Sequence, residues 1–121
     1  MTNKQIYLYN ENLAIFSQQT QDIKMPVRIN FYLQKNIETI QRAAGEIQKA
    51  RLMIGAMYGT PNEEGNGYSI PADQLDKVNS ELNDLLNLEQ EINIHKFKLE
   101  DFDGIELTCQ QMQAIMFMIE E

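Results

Sequence analysis

Arg28, Lys35, Arg42 and Lys49 stand seven residues apart, one cation at every second turn of a helix. At roughly 100° per residue, seven residues return a side chain to nearly the same bearing, so the four form one basic row. Such a row can meet phosphates, a nucleotide or an acidic protein surface. Lys24 and Arg28 bracket the expected start of this helix, where free backbone N–H groups also favour an anion. Tyr32, one turn further on, could stack on a base. Lys24, Arg28, Tyr32 and Lys35 are therefore the candidate ligand-binding residues. The plainer reading of the row is a solvated face. Glu38 stands four residues before Arg42 and Glu46 three before Lys49, spacings that give weak surface ion pairs.

Other reactive types are sparse. Glu100, Asp101, Asp103 and Glu106 form an acidic cluster, and Asp101 to Gly104 looks like the opening of a calcium loop. It lacks the further carboxylates and the distal bidentate glutamate of such a loop, so no metal is expected. Phe102 and Ile105 look like anchors tucking this turn onto the core. His95 is the one histidine and Cys109 the one cysteine. A nucleophilic pair of the two has no third group to orient it and no oxyanion site. No Walker loop, dinucleotide glycine pattern or zinc-ligand spacing occurs. The expectation is a non-enzymatic protein without a cofactor. Met112, Met116 and Met118 suit core filling more than an adaptable binding face.

The element that carries the basic row is the dominant one. Leu33, Ile40, Ile47 and Ile54 recur every seven residues, with Ile37, Ala43, Ala44, Ala50 and Met57 on the same side. This predicts an amphipathic helix over 26–58, about nine turns long. Pro26 suits its first turn, and Gly59 and Pro61 end it. Gly45, in its interior, costs about 1 kcal/mol relative to alanine and could mark close helix contact or a slight bend. In the segment 1–25, residues 4–9 suit a short strand. The longer pattern Ile6, Tyr9, Leu13, Phe16 favours a helix reaching Gln19, capped by Thr2 or Asn3.

Residues 59–71 read as a loop, with a hairpin tip possible at Asn66-Gly67. A second helix follows over 72–88, with Leu75, Val78, Leu82, Leu85 and Leu86 on one face. Residues 91–99 change period and read as a strand. Thr108 and Gln111 form a capping-box pattern opening a last helix over 108–120, with Met112, Ile115, Met116 and Ile119 as its buried face. The fold class is mainly α: a long central helix in an antiparallel helical pair, short flanking helices and room for a small β element. The seam of the long helix exceeds what a partner of about 17 residues covers. Its surplus must meet the terminal segments or a second subunit, so a homo-oligomer is expected.

A chain of 121 residues, 43% hydrophobic and 23% charged, fits one globular domain rather than a disordered segment. No apolar run is long enough to cross a membrane, and Met-Thr-Asn-Lys-Gln lacks the layout of a signal peptide. One cysteine cannot close an internal disulfide, which points to a reducing cytoplasm. Residues 1–71 carry seven Lys/Arg against six Asp/Glu, and residues 72–121 three against twelve. The resulting net charge of −8 argues against double-stranded nucleic acid as partner. It leaves head-to-tail association or a basic partner open.

Three segments together carry a resemblance: Lys24-Met25-Pro26-Val27-Arg28 opening the long helix; Leu85 to Glu89 running into Ile92-Asn93-Ile94-His95-Lys96; and Asp103 to Thr108 followed by Met116-Phe117-Met118-Ile119-Glu120-Glu121. In this layout the chain resembles a group of small uncharacterised proteins of tailed bacteriophages and prophages of Gram-positive gut bacteria. None of the three segments is a catalytic signature, and the group has no established activity to transfer. The resemblance implies a phage accessory protein that binds rather than catalyses. Acting in the host cytoplasm, it would sequester a host nucleotide signal or a host protein in counter-defence or takeover. The alternative is a virion or tail-assembly accessory protein.

Overall fold

The computed structural model of the chain describes residues 1–120. The fold is mainly α, built on one long spine. Helix α1 spans Asn3–Gln19 and α2 spans Val27–Tyr58. A small hairpin follows, with β1 (Thr60–Pro61) antiparallel to β2 (Tyr68–Ser69). Helix α3 is Leu75–Asn87, entered through a 3-10 turn at Ala72–Gln74. Strand β3 (Phe97–Lys98) leads into a 3-10 turn at Leu99–Phe102, then α4 (Cys109–Ile115). Strand β4 (Ile119–Glu120) closes the described chain and pairs in parallel with β3, Phe97 opposite Ile119.

The caps explain where the helices begin. Thr2 Oγ1 accepts from the Gln5 N–H at 3.1 Å, while Gln5 Oε1 accepts from the Thr2 N–H at 2.9 Å. This reciprocal box fixes α1 and settles residues 4–9 as helix. Thr108 and Gln111 repeat the device at α4, at 3.1 and 3.0 Å. Pro26 sits one residue before α2 rather than within it. Gly59 ends α2 because of crowding, not backbone handedness. Its φ is −132°, and a Cβ there would lie 2.6 Å from the Ser69 carbonyl oxygen.

Everything else is laid along α2. Tyr7 of α1 donates to Gln48 Oε1 at 3.1 Å, near one end of the spine. Phe16 shares a cleft with Leu33 and Ile37 near the other, so α1 runs antiparallel to α2. From the hairpin the chain returns down the same spine. Tyr58 meets Glu81, then Asn36 meets His95, then Arg28 meets Asp101. The core joins Ile6, Leu13 and Phe16 to Ile29, Leu33, Ile37, Ile40 and Ile47, and is closed by Phe97, Phe102, Ile115 and Met118.

A clasp holds the first residues to the end of α3. The Asn3 N–H donates to the Leu88 carbonyl at 2.9 Å, and the Gln90 N–H to the Met1 carbonyl at 2.8 Å. The Asn3 side chain reaches the Leu85 carbonyl at 2.8 Å.

Three sequence expectations are corrected. The strand over 91–99 shrinks to Phe97–Lys98, and residues 91–96 form no ladder. The last helix stops at Ile115, passes through a 3-10 turn at Met116–Met118 and becomes β4. Of its four expected buried residues, Ile115 is fully buried, Met112 and Ile119 are half-buried, and Met116 is 49% exposed. The apolar seam of α2 also does not run its full length. Ile54 is half-buried and Met57 is 69% exposed, because the buried core ends at Ile47.

Candidate functional site

Asn36 interrupts the apolar seam of α2, and its side chain is 2% exposed. A buried carboxamide needs partners, and it finds them in residue 95. Its Nδ2 donates to the His95 carbonyl at 2.9 Å and its Oδ1 accepts from the His95 N–H at 2.8 Å. The amide thus replaces a missing β strand and holds residues 92–96 against the spine. Nδ2 also lies 3.3 Å from Met118 Sδ.

That attachment sets the imidazole. The His95 ring stacks on Tyr32 with centroids 3.8 Å apart and planes 9° from parallel. Its other neighbour, Phe97, meets it edge-on at 4.9 Å. Nε2 is buried and has no hydrogen-bond partner among the described residues. Beside this stack opens a cleft of about 490 Å³ between α2 and residues 92–96. Lys35, Thr39, Asn93 and Lys96 bring polar groups to it, and among the described residues no carboxylate lines it. Lys96 Nζ donates to the Phe117 carbonyl at 2.6 Å, which leaves two N–H groups on that ammonium. Lys35 Nζ stands 5.7 Å from the Phe31 ring centroid.

The four residues marked by sequence therefore separate. Tyr32 and Lys35 line the cleft. Arg28 pairs with Asp101 at 3.8 Å and lies outside it, as does exposed Lys24. His95 already stacks on one face of Tyr32. Sequence reasoning passed over Asn36, Thr39, Asn93 and Lys96. Asn36 alone left a signal, a polar residue one position before Ile37 in an apolar seam.

The basic row is barely paired. Arg28–Asp101 is the one ion pair among the described residues, so the expected Glu38–Arg42 and Glu46–Lys49 pairs do not form. The acidic cluster is structural: Asp101 Oδ2 accepts from the Lys98 N–H at 2.9 Å, closing the turn that buries Phe102. Cys109 is exposed, and no hydrogen bond joins it to His95 among the described residues. No group of three or more metal-ligating side chains converges among the described residues. No described helix is long and apolar enough to cross a membrane. No protein-family model, curated protein or solved structure matches the chain.

Proposed function

We propose that the protein is a non-catalytic bacteriophage accessory protein that sequesters a small anionic molecule of nucleotide type. Its place of action is the host cytoplasm, in counter-defence or takeover. One observation carries the reading: a chain of net charge −8 has a cleft lined by Lys35 and Lys96 and, among the described residues, by no carboxylate. Charge-assisted hydrogen bonds from two ammonium groups suit a phosphate or carboxylate. Thr39 and Asn93 add neutral donors, and the Tyr32–His95 stack gives the cleft a rigid aromatic wall.

The test is native mass spectrometry of the protein isolated from an expressing host, followed by calorimetric titration with nucleotides. A retained mass in the nucleotide range is expected. Lys35→Glu and Lys96→Glu should each weaken binding about tenfold or more. Lys24→Glu and Arg28→Glu, outside the cleft, should leave it unchanged. A ligand-free protein that binds no nucleotide in titration sinks the reading.

A further inference from the structure

The outer face of α2, opposite the core, carries a second pattern. Val27, Phe31, Gln34, Glu38, Gln41, Gly45, Gln48 and Leu52 alternate at spacings of four and three, and all eight are exposed, Gln48 at the edge of the face where it accepts from Tyr7 of α1. This is the spacing of a two-helix seam. Its ends are apolar: Val27 is 86% exposed and Phe31 59%, while at the other end Leu52 is 42% exposed and neighbouring Met53 66%. Its middle holds one acid, Glu38, flanked by three bases, Lys35, Arg42 and Lys49, and none of the four has an ionic partner among the described residues. Gly45 has nothing within 4 Å of the position its Cβ would take, so no packing inside the chain calls for a glycine there.

We propose that two copies of this chain pair through this face, with their α2 helices antiparallel about a two-fold axis level with Ile40. In that register Glu38 of one copy stands level with the partner's Arg42, and Arg42 with the partner's Glu38. Val27 stands level with the partner's Met53, so the apolar end of one helix covers the opposite end of the other. Phe31 stands level with the partner's Lys49, a cation beside an aromatic ring. Gly45 stands level with the partner's Lys35 and leaves room beside it. A parallel arrangement would set Glu38 against Glu38 and Arg42 against Arg42. Charge therefore selects the antiparallel one. The face is self-complementary, which is why a second copy, rather than an unrelated helix, is its occupant.

Native mass spectrometry and light scattering over a dilution series of the ligand-free protein should show a monomer–dimer equilibrium. Glu38→Arg and Arg42→Glu each place like charges level across the axis, and each should weaken the dimer about tenfold or more. Mixing the two variants should restore a dimer of one copy of each. The Glu38→Arg chain then presents two bases at these levels, and the Arg42→Glu chain meets them with two acids. That recovery also shows that both variants fold. A wild type that stays monomeric, variants that dimerise like wild type, or a mixture without the hetero-dimer would each overturn the proposal. The outcome is independent of whether the cleft binds a nucleotide.

Discussion

Asn36 and His95 are joined as two strands of a sheet would be, except that one partner is a side chain. The carboxamide of Asn36 presents one donor and one acceptor to the backbone of residue 95, at 2.9 and 2.8 Å. Because both bonds are partly buried, removing the amide leaves a backbone N–H and a C=O without their partners together.

Asn36→Leu, branched alike at Cγ but bulkier and without polar atoms, should therefore lower stability by about 2–4 kcal/mol. Asn36→Asp keeps the acceptor for the His95 N–H and loses the donor to its carbonyl. Equilibrium urea unfolding of the three proteins measures both losses. A loss under about 1 kcal/mol for Asn36→Leu would mean that residues 92–96 are not held by this amide.

His95 carries a different expectation. Its ring is fixed by the Tyr32 stack and the Phe97 edge, while buried Nε2 bonds to nothing among the described residues. His95→Phe keeps an aromatic ring and discards the unpartnered nitrogen, so stability should rise by about 1 kcal/mol. The same urea midpoints decide it, and a fall would show that Nε2 has a partner in solution. As the sole histidine, it also gives unambiguous imidazole proton resonances. These should sit upfield in wild type and move toward ordinary positions in Tyr32→Leu.

Two glycines of the α2 region should respond with opposite signs to the same methyl group. Gly45 lies inside the helix with open space around it, so Gly45→Ala should stabilise dilute protein by about 0.5–1 kcal/mol. At Gly59 the added carbon would stand 2.6 Å from a backbone carbonyl and 2.7 Å from Ile70 Cδ1. Gly59→Ala should cost about 1–3 kcal/mol and loosen the hairpin, seen as faster amide exchange across β1 and β2. Equal responses at the two positions would contradict the packing described.

The helices were legible because their signals are local. Thr2 with Gln5 and Thr108 with Gln111 are capping pairs three residues apart, and the spacing of Ile6, Leu13 and Phe16 marks a single face. The seam of α2 was misread at its far end because helical spacing marks a face without saying how far other elements cover it. Asn36 and Ile54 lie five whole turns apart on one bearing, yet Asn36 is buried and Ile54 half-buried, and Met57 is exposed, since the core ends at Ile47.

Residues 91–96 failed as a strand because their partner is one carboxamide on a helix, 59 residues away. β4 was missed because its only ladder is with β3, more than 20 positions earlier. Of the candidate site, the Tyr32 and Lys35 half was legible from helix phase. Asn93 and Lys96 enter it only through the path that the Asn36 amide imposes on the returning chain.

The clasp between the first residues and the end of α3 has a consequence for the order of folding. Asn3 takes its partners from Leu85 and Leu88, and Met1 from Gln90, so these bonds span 82 to 89 positions. On a ribosome, which makes the amino end first, α1 emerges long before the segment that fastens it. Until then its apolar stripe of Ile6, Leu13 and Phe16 has only α2 to lean on. Closing so distant a contact is entropically slow. Tertiary closure therefore waits on three quarters of the chain, and a nascent chain stalled before residue 85 would leave the amino end of α1 undocked and open to proteolysis.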